Sequence, residues 1–225
     1  MFDYKALAKK TINGKRLYTT PSGNLPSVTT ILDKTSDKSF LEAWKKRVGE
    51  DEAKKQVKEA SGLGTAVHNY LESYLLEREI ISGSNYVHQL AKKLADKLID
   101  KHFSSINKVW GTEVSLYYPD LYAGTCDCVG IVDDKPTIID FKTAKKIKKK
   151  EWIENYFLQC CAYARAHNCL FDTNIQNCSI FMVDREGNTE RFDITGEEFE
   201  KYCMEWNQRL ISFYNINTKL AETDS

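Results

Sequence analysis

The segment GTCDCVGIVDDKPTIIDFKTAKK, residues 124–146, constrains this chain most. Two apolar runs flank a DDKP turn, each run carries an aspartate, and the second ends in Asp-Phe-Lys. Runs of this length and composition read as consecutive strands joined by a tight turn. A carboxylate inside such a strand is costly to bury unless something pairs with it. By strand alternation Ile138, Asp140 and Lys142 share one face, and Ile139, Phe141 and Thr143 the other. In the preceding run Cys126 and Cys128 share a face and Asp127 takes the opposite one. Hairpin pairing then brings Asp127 and Asp140 near each other on one face. Two such carboxylates repel unless a cation lies between them or one is protonated. Hard oxygen ligands suit Mg²⁺ or Mn²⁺, which keep bound waters and accept phosphate oxygens. Lys142, one pleat beyond, can hold an attacking hydroxide or stabilise a charged transition state. The competing reading is a plain salt bridge from Lys142 to either aspartate.

The rest of the chain supplies helices. SFLEAWKKRVGEDEAKKQVKEA has helical spacing, with Leu41, Trp44 and Val48 on one face. In SGLGTAVHNYLESYLLERE, residues Val67, Leu71, Tyr74 and Leu75 form an amphipathic stripe over 63–78. His68 and Glu72 lie four apart beside that stripe, and the GLGTA start permits close backbone approach. A second amphipathic helix runs from about Tyr86 to Phe103. Strands follow at TEVSLYY, YAGTCDCVGIV and PTIIDFKT, then a helix over 151–167 with Asn155, Gln159 and Tyr163 on one side. NCSIFMVD and TERFDI form a hairpin over REGN. Thr195 and Glu198 suit a capping box for a last helix to about Asn215. Near the start, NGKRLYTT reads as a short strand or arm, and Ser27, Thr29 and Thr30 suit the cap of a short helix. The expected fold is α/β: a central mixed β-sheet flanked by α-helices, with an N-terminal helical region. A single domain over 1–217 is expected, mainly helical to 105, with the sheet and its helix at 106–183, a hairpin end and helix at 184–217, and a flexible tail at 218–225.

Bulk properties narrow the partners. A formal net charge of zero over 225 residues offers no global positive field, so nucleic-acid binding must rest on local patches. Five lysines, Lys145, Lys146, Lys148, Lys149 and Lys150, cluster just beyond Lys142 and suit a phosphate track, although a charge run is more often a solvated face. AWKKR at 43–47 could form its other bank, with Trp44, Tyr70, Tyr74 and Trp152 available to stack on bases. The seven cysteines are odd in number, all lie in the second half, and follow no secretory signal, which points to a reducing cytoplasm. Cys126-x-Cys128 and Cys160-Cys161 lack the spaced pairs that wrap a metal and read as small core residues. No apolar run reaches the roughly 18 residues that span a bilayer.

Taken together, Gly64-x-x-x-His68, Glu113, Gly124-x-x-Asp127, Asp140-Phe141-Lys142 and Gln159-x-x-x-Tyr163 stand in the order found in RecB-like nucleases. The chain resembles this branch of the PD-(D/E)XK superfamily over about residues 26–183. LPSVTTIL, FLEAWKKR and GTAVHNYLES look like N-terminal elements of the mitochondrial genome maintenance exonuclease group and its phage-encoded relatives. The resemblance implies a metal-dependent DNA exonuclease, Asp127 and Asp140 as metal ligands with the Phe141 carbonyl, and His68 joining that shell. It implies Lys142 as catalytic lysine, Gln159 and Tyr163 orienting it or touching the DNA backbone, and Glu113 as an accessory acid; Glu72, four residues from His68 on one helix face, is a further accessory candidate. Mg²⁺ is the implied cofactor, with Mn²⁺ as a substitute. The implied partner is single-stranded DNA, held by a monomer through Tyr163, Lys145, Lys146 and Lys148. Iron–sulfur members place one cysteine before the nuclease core; none precedes Cys126, so no cluster is expected. Two rivals stay open: a structure-specific endonuclease of the same superfamily, and a nuclease-fold subunit that binds DNA without cutting it.

Overall fold

A computed structural model describes residues 2–12, 15–79, 83 and 85–223, without the side chains of Lys15 and 216–223. Its centre is a five-stranded sheet of order β4-β5-β6-β7-β8. The strands are β4 (Ile106–Tyr118), β5 (Tyr122–Val132), β6 (Lys135–Ala144), β7 (Asn177–Asp184) and β8 (Thr189–Thr195). Only β6 and β7 run parallel, joined through helix α5 (Glu154–Phe171); the other pairs are antiparallel. The sheet is therefore mixed, as expected. The β5–β6 turn is two residues, Asp133 and Asp134, with φ of 46° and 63°. Aspartate tolerates that left-handed region, which matches the twist of a hairpin.

Helices cover both faces. Helix α5, with α1 (Val28–Thr35) and α6 (Gly196–Thr223), packs on Val114, Leu116, Ile138, Ile180 and Met182. Helices α3 (Glu50–Leu75) and α4 (Tyr86–His102) pack on Cys128, Ile139, Phe141, Phe181 and Val183. The alternation Ile138, Ile139, Ile180, Phe181 thus splits between two cores, as a sheet buried on both faces requires. Three further strands, β1 (Ala8–Ile12), β2 (Lys15–Thr20) and β3 (Gly23–Pro26), form a small antiparallel sheet. Its Tyr18 and Leu25 pack on Ala123. Of these strands, sequence spacing indicated only β2.

Several helices begin or end elsewhere than the sequence pattern suggests. Ser27 caps α1 as expected, its hydroxyl accepting from the Thr30 N–H. The long run from 39 breaks at Gly49, whose φ of 87° suits no β-carbon, into α2 (Ser39–Val48) and α3. The GLGTA segment lies inside α3 rather than at its start. None of α2 is buried: Leu41, on its apolar stripe, is 42% exposed and Phe40 82%. The last helix starts at Gly196 and runs to Thr223, past the expected end near Asn215; Asp224 and Ser225 lie outside the described residues. Glu198, expected in a capping box, pairs with the Lys150 ammonium at 2.8 Å.

Candidate metal centre and active site

Strand alternation fails at one place in β5, and that place is Asp127. Cys126 lies in the α5 core and Cys128 in the α3–α4 core, so the expectation that they share a face is corrected. Both cysteines are fully buried as small core residues. The β5–β6 ladder begins at Cys128, opposite Ile139. Where the ladder would continue, the Asp127 carboxylate accepts the Phe141 N–H through Oδ2 at 2.9 Å. Asp127 therefore lies in the seam between the strands, with its other oxygen toward α3, rather than on a common face with Asp140. Its neighbour across β4, Glu113, has a φ of 48° in mid-strand. That left-handed backbone is uncommon outside glycine and tends to occur at functional positions.

His68, on α3, closes the seam. Its Nε2 lies 2.8 Å from the Phe141 carbonyl and its Nδ1 lies 3.6 Å from Asp127 Oδ1. A carbonyl only accepts, so Nε2 carries the hydrogen, and in that tautomer of the imidazole the lone pair is on Nδ1. His68, Glu113 and Asp127 each bring one ligand atom, all within 4.8 Å of one another. Burial and the Asp127 charge hold the Glu113 carboxyl above its usual range, partly offset by His68. Glu72, one turn beyond His68, accepts from the Thr112 hydroxyl at 3.3 Å and lies 3.8 Å from Arg78.

Asp140 and Lys142 form the second half of the site, on the α5 face. Asp140 is 1% exposed. Its Oδ2 lies 2.5 Å from Lys142 Nζ in an ion pair. Burial pushes the Asp140 carboxyl up to about 6; Lys142 opposes that and Asp127 adds to it. Burial would lower Lys142, but the charges of Asp140 and Asp127 outweigh it, so the amine stays an ammonium. The salt bridge weighed from sequence is thus present, and it adjoins the acidic seam. This donor set fits a divalent cation: a ring nitrogen of His68 and the carboxylates of Asp127 and Glu113, each bringing an atom within 4.8 Å of the others.

The glycines of the motifs have a packing cause. A β-carbon at Gly124 would lie 2.6 Å from Tyr163 Cε1, and one at Gly64 would lie 3.3 Å from Thr143 Oγ1. Tyr163, expected to orient Lys142 or touch the DNA backbone, is 3% exposed, its ring a core residue behind β5. Gln159 donates to the Tyr163 hydroxyl at 3.3 Å; the group lying against Lys142 on α5 is Tyr156, which the sequence reading did not single out. Of the lysine cluster, Lys145, Lys146 and Lys149 are exposed. Lys148 donates to the Tyr156 hydroxyl at 2.9 Å, and Lys150 binds Glu198 and the Asp193 carbonyl. A groove of about 370 Å³ beside the end of β6 is lined by Trp44, Leu63, Thr143, Lys145 and Arg185, with Glu52 and Glu59 among its walls. Arg185 joins that wall from the β7–β8 turn; its place near Lys145 follows from β6–β7 register, which no local motif encodes. No helix among the described residues is long and apolar enough to cross a membrane.

No family model matches the chain. It is 30% identical to mitochondrial genome maintenance exonuclease 1 of Mus musculus over 212 residues, covering 88% of this chain and 61% of that protein. The Homo sapiens protein of that name is 29% identical over 83% of this chain and 57% of its own length. The Xenopus tropicalis one is 31% identical over 90% and 60%. The chain thus spans about three fifths of these relatives. Among solved structures, a proposed exonuclease from Eubacterium rectale aligns with TM-score 0.48 and 13% identity, over 70% of this chain and 66% of that one. A phage-related exonuclease from Haemophilus somnus 129PT aligns at 0.39 and 15%, over 72% and 83%. Over about three fifths of their length the chain is homologous to proteins named mitochondrial genome maintenance exonuclease 1, and its α/β fold and order of motifs are consistent with a PD-(D/E)XK-like nuclease.

Proposed function

We propose that the chain is a metal-dependent deoxyribonuclease that hydrolyses single-stranded DNA from a free end, in replication, recombination or repair. The observation that carries this reading is the convergence of His68, Glu113 and Asp127 within 4.8 Å, beside the buried Asp140–Lys142 pair. Homology to proteins named exonucleases supports the same chemistry. Asp127, Glu113 and His68 Nδ1 are the groups that would hold Mg²⁺ or Mn²⁺, with Asp140 beside them; the Phe141 carbonyl accepts the Nε2–H on the far side of the His68 ring. Such an ion supplies Lewis acidity and a bound water of lowered pKa.

The chain's own residues do the rest. His68 is aimed by its Nε2–H on the Phe141 carbonyl, so its free nitrogen faces the acidic seam. Asp127 is fixed by the Phe141 N–H. Lys142 keeps its charge at neutral pH and neutralises negative charge that builds on a phosphate in the transition state. Lys145 and Arg185 offer cations, and Trp44 a stacking face, to a strand leaving the site through the groove. A monomer suffices for this work, and the buried free thiols favour a reducing compartment such as the cytoplasm.

End-labelled single-stranded oligonucleotide, its closed circular form and matched RNA, each with Mg²⁺ or EDTA, test the proposal. Metal-dependent mononucleotide or short products from linear DNA are expected, with D140N and K142M about 100- to 1,000-fold slower, as for loss of a central electrostatic group. Binding without metal-dependent products would overturn catalysis in favour of a non-cleaving subunit. Equal rates on circle and linear strand would overturn the exonuclease reading in favour of an endonuclease.

A further inference from the structure

An exposed lysine has a flexible four-carbon stem, and its charge is useful to a reaction only where something fixes it. Lys142 Nζ is held on one side by Asp140 Oδ2 at 2.5 Å and on the other by the face of Tyr156, 4.9 Å from the ring centroid. The same ring lies 5.0 Å from Lys148 Nζ, and its hydroxyl accepts that ammonium at 2.9 Å. Tyr156 thus touches both the amine of the site and the lysine loop. It is itself well anchored, in the first turn of α5, with its N–H on the Ile153 carbonyl at 2.8 Å and buried Ile153 and Phe157 beside it. An aromatic face attracts an ammonium without neutralising it, unlike a second carboxylate. It can therefore restrain Lys142 and leave the full charge for a phosphate. It also gives the amine a second seat when Asp140 is engaged elsewhere.

We propose that Tyr156 is the positioning residue of this site: its ring seats Lys142, and its hydroxyl ties the lysine loop to α5 through Lys148. The proposal rests on the nuclease reading above for its kinetic consequence, and on geometry alone for the contact itself. The two halves of the side chain then have separable effects. Loss of the ring frees Lys142 and lowers kcat. Loss of the hydroxyl alone frees Lys148 and weakens substrate binding.

The test uses the full chain in two measurements. The first is NMR of lysine labelled at Cε and Nζ, in EDTA, with the Lys142 signal assigned from K142R. Wild type and Y156F should show an upfield ring-current shift of the Lys142 ε-methylene, and Y156L should lose it. The second is steady-state cleavage of labelled single-stranded oligonucleotide with Mg²⁺. Y156L should lower kcat about tenfold with KM within about twofold, the scale of one cation–π contact. Y156F should keep kcat within about twofold and raise KM several-fold, as K148A does. Y156M replaces Y156L if the leucine variant does not fold. An unchanged Lys142 signal in Y156L, or a kcat loss in Y156F equal to that in Y156L, overturns the proposal. A wild-type protein without metal-dependent cleavage defeats the nuclease reading instead, while the NMR shifts still decide whether Tyr156 holds Lys142.

Discussion

Replacing Gly124 by alanine should destabilise the fold through a single ring. The added methyl would lie 2.6 Å from Tyr163 Cε1 and 2.9 Å from its hydroxyl oxygen. Carbon atoms pack at about 3.5–4.0 Å, so the ring or the strand must give by about 1 Å. The ring has little room to yield, being 3% exposed and hydrogen-bonded to Gln159. Overpacking of this kind costs about 1–3 kcal/mol. Against it stands the reduced freedom of the unfolded chain, worth about 0.4–1 kcal/mol for Gly→Ala where φ is ordinary, as it is here. The balance is a loss of about 1–2 kcal/mol, or roughly 2–8 °C in Tm for a domain of this size. Thermal and urea unfolding of G124A, Y163L and the double variant read it out. The alanine penalty should vanish in the Y163L background, because the leucine leaves the space the methyl needs. A G124A protein as stable as wild type, or a penalty unchanged beside Y163L, would refute the close-packing account of this motif.

Two further outcomes follow from other parts of the molecule. Gly62 lies exposed inside α3 with nothing within 4 Å of an added β-carbon, so G62A should stabilise by about 1 kcal/mol of helix propensity, measured by urea titration. His167, fully buried, has both ring nitrogens engaged, by the Tyr4 and Thr173 hydroxyls, and burial lowers its pKa from 6.5 to about 4. Between those values the unfolded chain binds a proton that the folded one refuses, so this contribution to stability is intact above pH 6.5 and falls as pH drops toward 4. The urea midpoint should decline across that window in wild type and decline less steeply in H167Q; parallel profiles would count against it.

Strand β6 was readable from sequence because it obeys local rules. The run from Thr137 to Thr143 alternates as expected, and its burial divides cleanly between two cores. Asp127 was recognisable as a site residue, but its placement was not, because the break in alternation at 126–128 depends on the Phe141 N–H from another strand. Tyr163 carried the motif and was taken to face DNA; its role as the partner of a missing β-carbon only emerges once α5 packs on β5. Tyr156 precedes Gln159 by three residues and Tyr163 by seven, one helical face, so its spacing held a signal. Nothing local distinguishes it from the other core-like aromatics on that helix. The split at Gly49 was masked for a similar reason: both sides of it have strong helical composition, and a single glycine decided the geometry.

Helix α3 is 26 residues, hence about 39 Å long, and it is gripped mainly by Leu63, Val67 and Leu71 in its second half. The preceding half, from Glu50, buries only Ala53. His68 belongs to the gripped half, between Val67 and Leu71, both wholly shielded from solvent. The imidazole is thus anchored by its neighbours in the chain before any ion or strand arrives, and the aim of its ring is inherited from the core rather than from the surface.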